Sequence, residues 1–319
     1  RALRAEGRAA PPFLSRPLPA APLEVVSVDA LAAFLAAPER TFVTERLRVR
    51  IGVPDALDVD DPLELDALGQ WSLRADVLAR LLDGADAEPS LPLQRAAGRL
   101  PHGPLAELAI RDALAEARTV RHLARDRATA ARTAGATVDR AVGAWRLVGR
   151  VGPLFDGGLF DVHAGKVRAR HLLSAWVRHL ALHLADGPGA GQPTSRVVGL
   201  PERKLGDSAH VFPPVPDAAA RLEALLALYA RALREPLPLL PEQAREYAGA
   251  FTPKRTDEDA HAAGLEAAWK LWARQPDPHA RRLFGDDPFG DGVAFARLAR
   301  EVWAPLLACA GGRAAEAEA

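Results

Sequence analysis

The chain has 319 residues, 41 basic and 41 acidic, and 49% of it is apolar, which is material for one large globular domain or two small ones. Its one cysteine, Cys309, excludes an internal disulfide and leads us to expect a reducing, cytoplasmic setting; no apolar run is long enough to span a membrane. No signal peptide is visible, and a chain that starts at Arg1 and holds no methionine reads as a fragment of a longer protein.

Residues 1–22, rich in Ala, Pro and Arg without periodicity, read as a linker or the tail of a preceding domain. A domain is expected over 23–310 and a disordered tail over 311–319. Ser27 is placed to cap a helix to about Ala37, with Leu31, Phe34 and Leu35 on one face and Pro38 ending it. A second short helix carries Phe42 and Leu47. The segment Asp55–Asp66 holds six acids and no base and reads as a loop. A helix follows from about Leu68 to Leu82, stopped at Gly84. The next is longer: Pro104 suits its first turn, and it is expected to continue to about Thr133, with Gly135 beyond its end.

Val138–Val142, Trp145–Val151 and Leu159–His163 have strand-like content, and Asp156-Gly157-Gly158 signals a hairpin turn. Val167–Leu184 reads as a helix closed by Gly187 and Pro188; Ser195–Leu200 and His210–Phe212 are further candidate strands. Asp217–Arg234 is amphipathic, with Leu222, Leu225, Leu226, Tyr229 and Leu233 at helical spacing, and helices at about 257–273 and 293–308 close the chain. The expected fold class is α/β, a small mixed and largely covered sheet flanked by helices. There is no Walker signature and no Gly-x-Ser-x-Gly elbow, so neither ATP binding by a phosphate loop nor a serine triad has support.

Chemistry concentrates between Trp145 and Leu184. Gly149-Arg150-Val151-Gly152, then Leu159-Phe160-Asp161-Val162-His163-Ala164-Gly165, then a helix, outline a metal-dependent nuclease core: strand, tight turn, second strand, and a helix packing back. Such a core carries an Asp at the end of the first strand and an acid-x-Lys on the second, because the acids hold Mg²⁺ and the Lys positions the attacking water. Gly152 stands where the first acid belongs and His163 where the Lys belongs, leaving Asp161 as the remaining candidate ligand. The frame is expected to be catalytically degenerate, with no catalytic residue and no metal of its own.

Zero net charge conceals a segregation, since Arg111–His183 holds 13 basic against 6 acidic residues. Arg111, Arg118, Arg121, Arg125 and Arg132 form a stripe along the expected long helix, a pattern that suits a phosphate backbone. Lys166, Arg168 and Arg170 extend the basic region. A solvated face, or a docking face for another subunit, competes with that reading. His179 and His183 share a helix face, which is half of a zinc site that His210 or Asp161 would have to complete. Trp176 on the same face favours a satisfied structural pair instead. The neighbours Asp60-Asp61 and Asp286-Asp287 read as turns, because adjacent side chains diverge.

Several of these spacings agree on one family. Val26-Ser27 with Leu31, Phe34, Pro38 and Phe42 opens the series; Asp61-Pro62, the Leu65–Leu68 helix start, and Leu100-Pro101 through Gly103, Leu105 and Glu107 continue it. Gly149-Arg150-Val151, Gly165-Lys166, Trp176 with His179–Leu182, Leu233–Pro238, Tyr247 and Gly285–Phe289 complete it. From about Pro22 to Leu307 the chain resembles the C-terminal part of the RecC family, the gamma subunits of bacterial exodeoxyribonuclease V (RecBCD). The resemblance implies a PD-(D/E)xK nuclease-like (restriction-endonuclease-like) fold that no longer cuts. It implies a non-catalytic, DNA-engaging and scaffolding role in an ATP-dependent helicase and exonuclease of double-strand-break repair by homologous recombination. RecB, RecD and double- and single-stranded DNA are the implied partners, with Mg²⁺ and ATP used by the partner subunits and no membrane involved. Glu107 occupies the position of an active relative's metal-site His, and Asp161 departs from the family, where a basic residue is usual. The alternatives are an active Mg²⁺-dependent nuclease of the RecB or AddB type, resting on Glu107 and Asp161, and a pure protein-interaction module.

Overall fold

A computed structural model describes residues 13–50, 65–85, 100–101, 103–187, 192–201 and 208–311. The acidic run up to Glu64, residues 1–12 of the expected linker and the tail from 312 onward lie outside the described residues.

Strand β1 (Val25–Ser27) leads directly into α1 (Val28–Ala36). Ser27 is the cap the sequence predicts: its Oγ accepts from the Ala30 amide at 3.0 Å, satisfying one of the free donors of the first turn. Leu31, Phe34 and Leu35 are fully buried beneath it. A short α2 (Pro38–Thr41) runs into a π-helical turn (Phe42–Arg46), whose Phe42 and Val43 pack on Leu283. Helix α3 (Ala67–Leu82) starts from Asp66, whose Oδ1 accepts from the Gly69 amide at 2.7 Å.

Helix α4 (Pro104–Leu123) is shorter than the sequence predicts. It ends at Leu123 rather than near Thr133, and a 3₁₀ turn (Arg125–Ala128) and strand β2 (Arg132–Thr133) take over. Long-range bonds explain the break. Asp156 Oδ1 accepts from the Ala131 amide at 2.8 Å and the Asp156 amide donates to the Ala131 carbonyl at 2.9 Å, so the segment is drawn onto the sheet despite good local helix propensity. The arginine stripe is therefore divided: Arg111, Arg118 and Arg121 are on α4, Arg125 is in the 3₁₀ turn and Arg132 is on β2.

Four strands follow: β3 (Ala136–Val142), β4 (Trp145–Val151), β5 (Leu154–Phe155) and β6 (Gly158–Lys166). Strands β7 (Ser195–Leu200) and β8 (Ala209–Phe212) come later in the chain. One sheet was expected; the strands form two, a three-stranded sheet ordered β1-β4-β3 and a five-stranded one ordered β2-β5-β6-β7-β8. Both are mixed, since β1 runs parallel to β4 and β6 parallel to β7 while their other neighbours are antiparallel. The Asp156-Gly157 hairpin is confirmed between β5 and β6: φ is 49° at Asp156 and 80° at Gly157, the double positive φ of a type I′ turn.

Helix α5 (Ala169–Leu182) is the centre of the core, with Leu172, Leu173, Trp176 and Leu180 buried against α1 and the strands. Around it are α6 (Ala218–Ala232), α7 (Pro241–Gly249), α8 (Asp257–Arg274), α9 (Pro278–Phe284) and α10 (Val293–Gly311). Among the described residues no helix is long and apolar enough to cross a membrane.

Candidate functional site

Successive side chains of β6 point to opposite faces of its sheet. Phe160, Val162 and Ala164 join Val77 and Leu78 of α3 and Ala117 and Val120 of α4 in one apolar cluster. Asp161 and His163 are thereby turned to the α5 side. There the His163 ring stacks on His171, in the first turn of α5, with centroids 4.1 Å apart and planes 10° from parallel. His171 Nδ1 accepts from the Arg168 amide at 3.1 Å, which fixes the ring. Burial pushes the Asp161 carboxyl above the usual carboxylate range, against the opposing pull of His163, Arg178 and Arg127. Burial pushes His163 down, with Arg170 adding to the effect and Asp161 opposing it. His171 is pushed down to about 3, first by burial and then by the charges of His163, Arg170 and Arg168.

The other old active-site positions do not join this pair. Gly152 lies between β4 and β5, and a Cβ built on it would sit 2.5 Å from Gly135 Cα and 3.0 Å from the Ala134 carbonyl oxygen. The backbone thus occupies the space a side chain would need. Glu107 is exposed in the first turn of α4. That half of α4 packs through Ala106, Ile110 and Ala113 on Leu73 and Leu100, away from the sheet. Nine residues separate it from Glu116, about 14 Å at helical rise. Mg²⁺ wants several ionised oxygen ligands in an octahedron. Asp161 alone, reluctant to ionise and flanked by His163 and arginines, does not fit it. Among the described residues no group of three or more His, Cys, Asp or Glu is placed to hold a metal.

The basic residues divide into two surfaces. Arg111, Arg118 and Arg121 lie exposed on α4, the last donating from Nε to the Leu81 carbonyl at 3.0 Å. Lys166, Arg168 and Arg170 line a cleft of about 700 Å³ between the end of β6, the start of α5 and the outer face of α3. A register shift between Val162 and Lys166 interrupts the β6–β7 ladder at this end of the strand. Trp71 and Arg74 form the α3 wall, and Arg74 is held by Glu116 at 2.6 Å and by the Ala164 carbonyl at 2.9 Å. Glu242, from α7, caps α5 by accepting from the Ala169 amide at 3.0 Å. Trp71, His171 and Glu242 were not singled out in the sequence. Helical spacing gave no signal for Trp71, which shares a face with the buried Leu78 two turns on and is exposed only because the helix start overhangs the end of the strand.

His179 and His183 form the structural pair expected of them. His179 is fully buried; its Nε2 lies 3.0 Å from the Pro213 carbonyl and its Nδ1 2.9 Å from Ser195 Oγ. A carbonyl only accepts, so Nε2 carries the proton and Nδ1 accepts from Ser195. Ser195 Oγ in turn accepts from the Leu159 amide at 3.1 Å. His183 donates from Nδ1 to the His179 carbonyl at 3.0 Å and accepts at Nε2 from the Val215 amide at 2.8 Å. All four ring nitrogens are engaged, and none remains for zinc. Asp287 is the expected turn residue, its Oδ1 accepting from Phe289 and Gly290 at 3.1 and 2.8 Å.

Comparison with known proteins gives this geometry a context. A family model described as RecC C-terminal domain matches residues 23–252. The chain is 28% identical to the RecBCD enzyme subunit RecC of Mycobacterium tuberculosis (strain CDC 1551 / Oshkosh), with 96% of this chain and 29% of that protein covered. It is 28% identical to the subunit of the same name from Mycolicibacterium smegmatis, again over 96% of this chain and 29% of the relative. For the Escherichia coli K12 subunit the figures are 28% identity, 71% of this chain and 20% of the relative. The chain thus spans less than a third of the length of these relatives.

Proposed function

The chain belongs to the RecC C-terminal domain family, and from that premise we propose that it is a non-catalytic, DNA-engaging and scaffolding domain of a RecBCD-type helicase and nuclease. Its core is read as a PD-(D/E)xK frame that has lost its chemistry. The succession β4, β5, β6 and the return of α5 onto β6 support the frame. The observation that carries the loss is the closed space at Gly152, where the Gly135 backbone excludes any acid. The separation of Glu107 from Asp161 and the upward shift of the Asp161 carboxyl act in the same direction.

DNA is engaged through Lys166, Arg168 and Arg170 in the cleft and through Arg111, Arg118 and Arg121 on α4, with Arg125 and Arg132 beyond. Each such side chain that meets a phosphate releases a counterion. RecB- and RecD-type subunits are the partners, in a cytoplasmic repair assembly. Mg²⁺ and ATP serve those subunits, and this domain uses no cofactor.

A nuclease assay of the purified chain on single- and double-stranded DNA with Mg²⁺ or Mn²⁺, beside a calorimetric metal titration, tests the reading. No cleavage and no metal binding are expected. Cleavage abolished by Asp161→Ala would establish an active nuclease instead. Unchanged DNA binding on reversal of Arg121 and Arg168 to Glu, with subunit assembly lost, would make the domain a protein-interaction module.

A further inference from the structure

Trp71 stands out on the wall of the basic cleft. Trp176 and Trp303 are buried in the core at 2% and 0% exposure, whereas Trp71 is 50% exposed. It lies on the α3 stripe that faces Lys166, Arg168 and Arg170 across the opening. Gly165 lies beside one edge of the indole, where an added Cβ would sit 3.5 Å from Trp71 Cδ1 at ordinary contact distance, and half of the side chain remains exposed. The acids nearest the cleft are already engaged, Glu116 by Arg74 at 2.6 Å and Glu242 by the Ala169 amide at 3.0 Å. The stacked His163 and His171 rings add an aromatic surface to the same lining.

An exposed aromatic face beside a row of cations matches a strand whose bases are unpaired. In a duplex the bases are stacked on one another and offer no face to an indole. We propose that this cleft is a subsite for single-stranded nucleic acid, in which Trp71 stacks on one unpaired base while Lys166, Arg168 and Arg170 hold the flanking phosphates. The inference rests on the DNA-engaging reading above and adds to it the place on this domain where an unpaired base is held and the residue that stacks on it.

The test is fluorescence anisotropy of the full chain with three labelled probes: oligothymidylate, an abasic strand of equal length, and a hairpin duplex. Trp71→Ala is expected to weaken oligothymidylate binding roughly 5- to 150-fold, the range of base–aromatic stacking, and to leave the abasic strand unaffected. Trp71→Phe is expected to restore most of the loss. A triple Lys166→Ala, Arg168→Ala, Arg170→Ala variant is expected to weaken both single strands and to flatten their salt dependence. Circular dichroism verifies that each variant folds. Wild-type affinity of Trp71→Ala for oligothymidylate, with the triple variant impaired, overturns the stacking subsite and leaves the DNA reading standing. Equal loss on the abasic strand, or tighter binding of the duplex than of oligothymidylate, also overturns the subsite. Full binding of all probes by the triple variant overturns the subsite and, if reversal of Arg121 is equally silent, the DNA reading with it.

Discussion

Replacing His179 with alanine tests how the core is held. The imidazole joins three elements: it is on α5, accepts from Ser195 of β7 and donates to the Pro213 carbonyl after β8. Without the ring, the buried Ser195 hydroxyl loses its acceptor, at about 1–3 kcal/mol, and the part-buried Pro213 carbonyl loses its strongest donor, at the lower end of that range. The vacated space borders the Trp176 and Phe212 rings, whose centroids are 5.8 and 5.6 Å from that of the imidazole, and a cavity there adds to the cost. The sum is about 3–6 kcal/mol, a large part of the ~5–15 kcal/mol by which domains are stable. Urea denaturation followed by circular dichroism measures it, with His179→Gln expected to lose less because an amide replaces part of the bonding. The pH profile of wild type taken relative to His179→Gln gives an independent reading, because the difference cancels the other titrating groups, the buried Glu39 among them. His179 is held down at about 4, from 6.5, by burial first and the neighbouring His183 second. Its folded form therefore resists protonation that the unfolded chain accepts. The stabilisation is complete above pH ~6.5, declines by about 3 kcal/mol as pH falls toward ~4, and is flat below. A His179→Ala loss under about 1 kcal/mol, or a wild-type advantage over His179→Gln that does not fall between pH ~6.5 and ~4, would refute the network as described.

Glu39 predicts the opposite pH dependence. It is 6% exposed, its Oε2 has no hydrogen-bond partner, and burial pushes its carboxyl up to about 8. A raised carboxyl favours the fold at low pH, so stability is lost as pH rises from ~4.5 to ~8. Glu39→Gln should flatten that decline and leave the variant more stable than wild type at pH 8 by several kcal/mol, read from melting temperatures at pH 5 and 8; equal melting at both values would count against it. Gly152→Asp with His163→Lys rebuilds the nuclease residue pattern, yet should destabilise the fold by about 2–4 kcal/mol and restore no cleavage, because the new Cβ meets Gly135. Cleavage by that variant, in the nuclease assay, would show that the Gly135 backbone yields. Arg168→Ala with Arg170→Ala should lower the slope of log K against log salt for single-stranded DNA by about 1.4, and an unchanged slope would remove both from the phosphate contacts.

Local signals carried much of the helical architecture. Ser27 capped its helix, Asp156-Gly157 made its turn, and the periodic stripe of α6 was buried as spaced. Where the reading failed, the deciding contacts were distant. The end of α4 is set by Asp156, some thirty residues on, and the division into two sheets by the pairing of β1 with β4 across more than a hundred residues. Helices α7 and α9 went unseen because each is short and has little apolar periodicity, although Pro241 and Pro278 stand at favourable first-turn positions. At the site, the identities of Gly152, Asp161 and His163 were legible, but their relations were not. That β6 turns Asp161 toward α5 while Glu107 lies on the half of α4 that leaves the sheet follows from packing alone.

The pairing of β1 with β4 also has a mechanical side. Val25, Val26 and Ser27 run parallel to Arg146, Leu147 and Val148, and the Arg146 amide reaches back to the Glu24 carbonyl at 2.8 Å. Tension applied to the backbone at Glu24, with the far end of β4 as anchor, loads these rungs together in shear. They resist as a set and do not peel one at a time. Force arriving at Glu24 is then carried through the rungs into β4, and α1, which begins just beyond Ser27, is shielded from it.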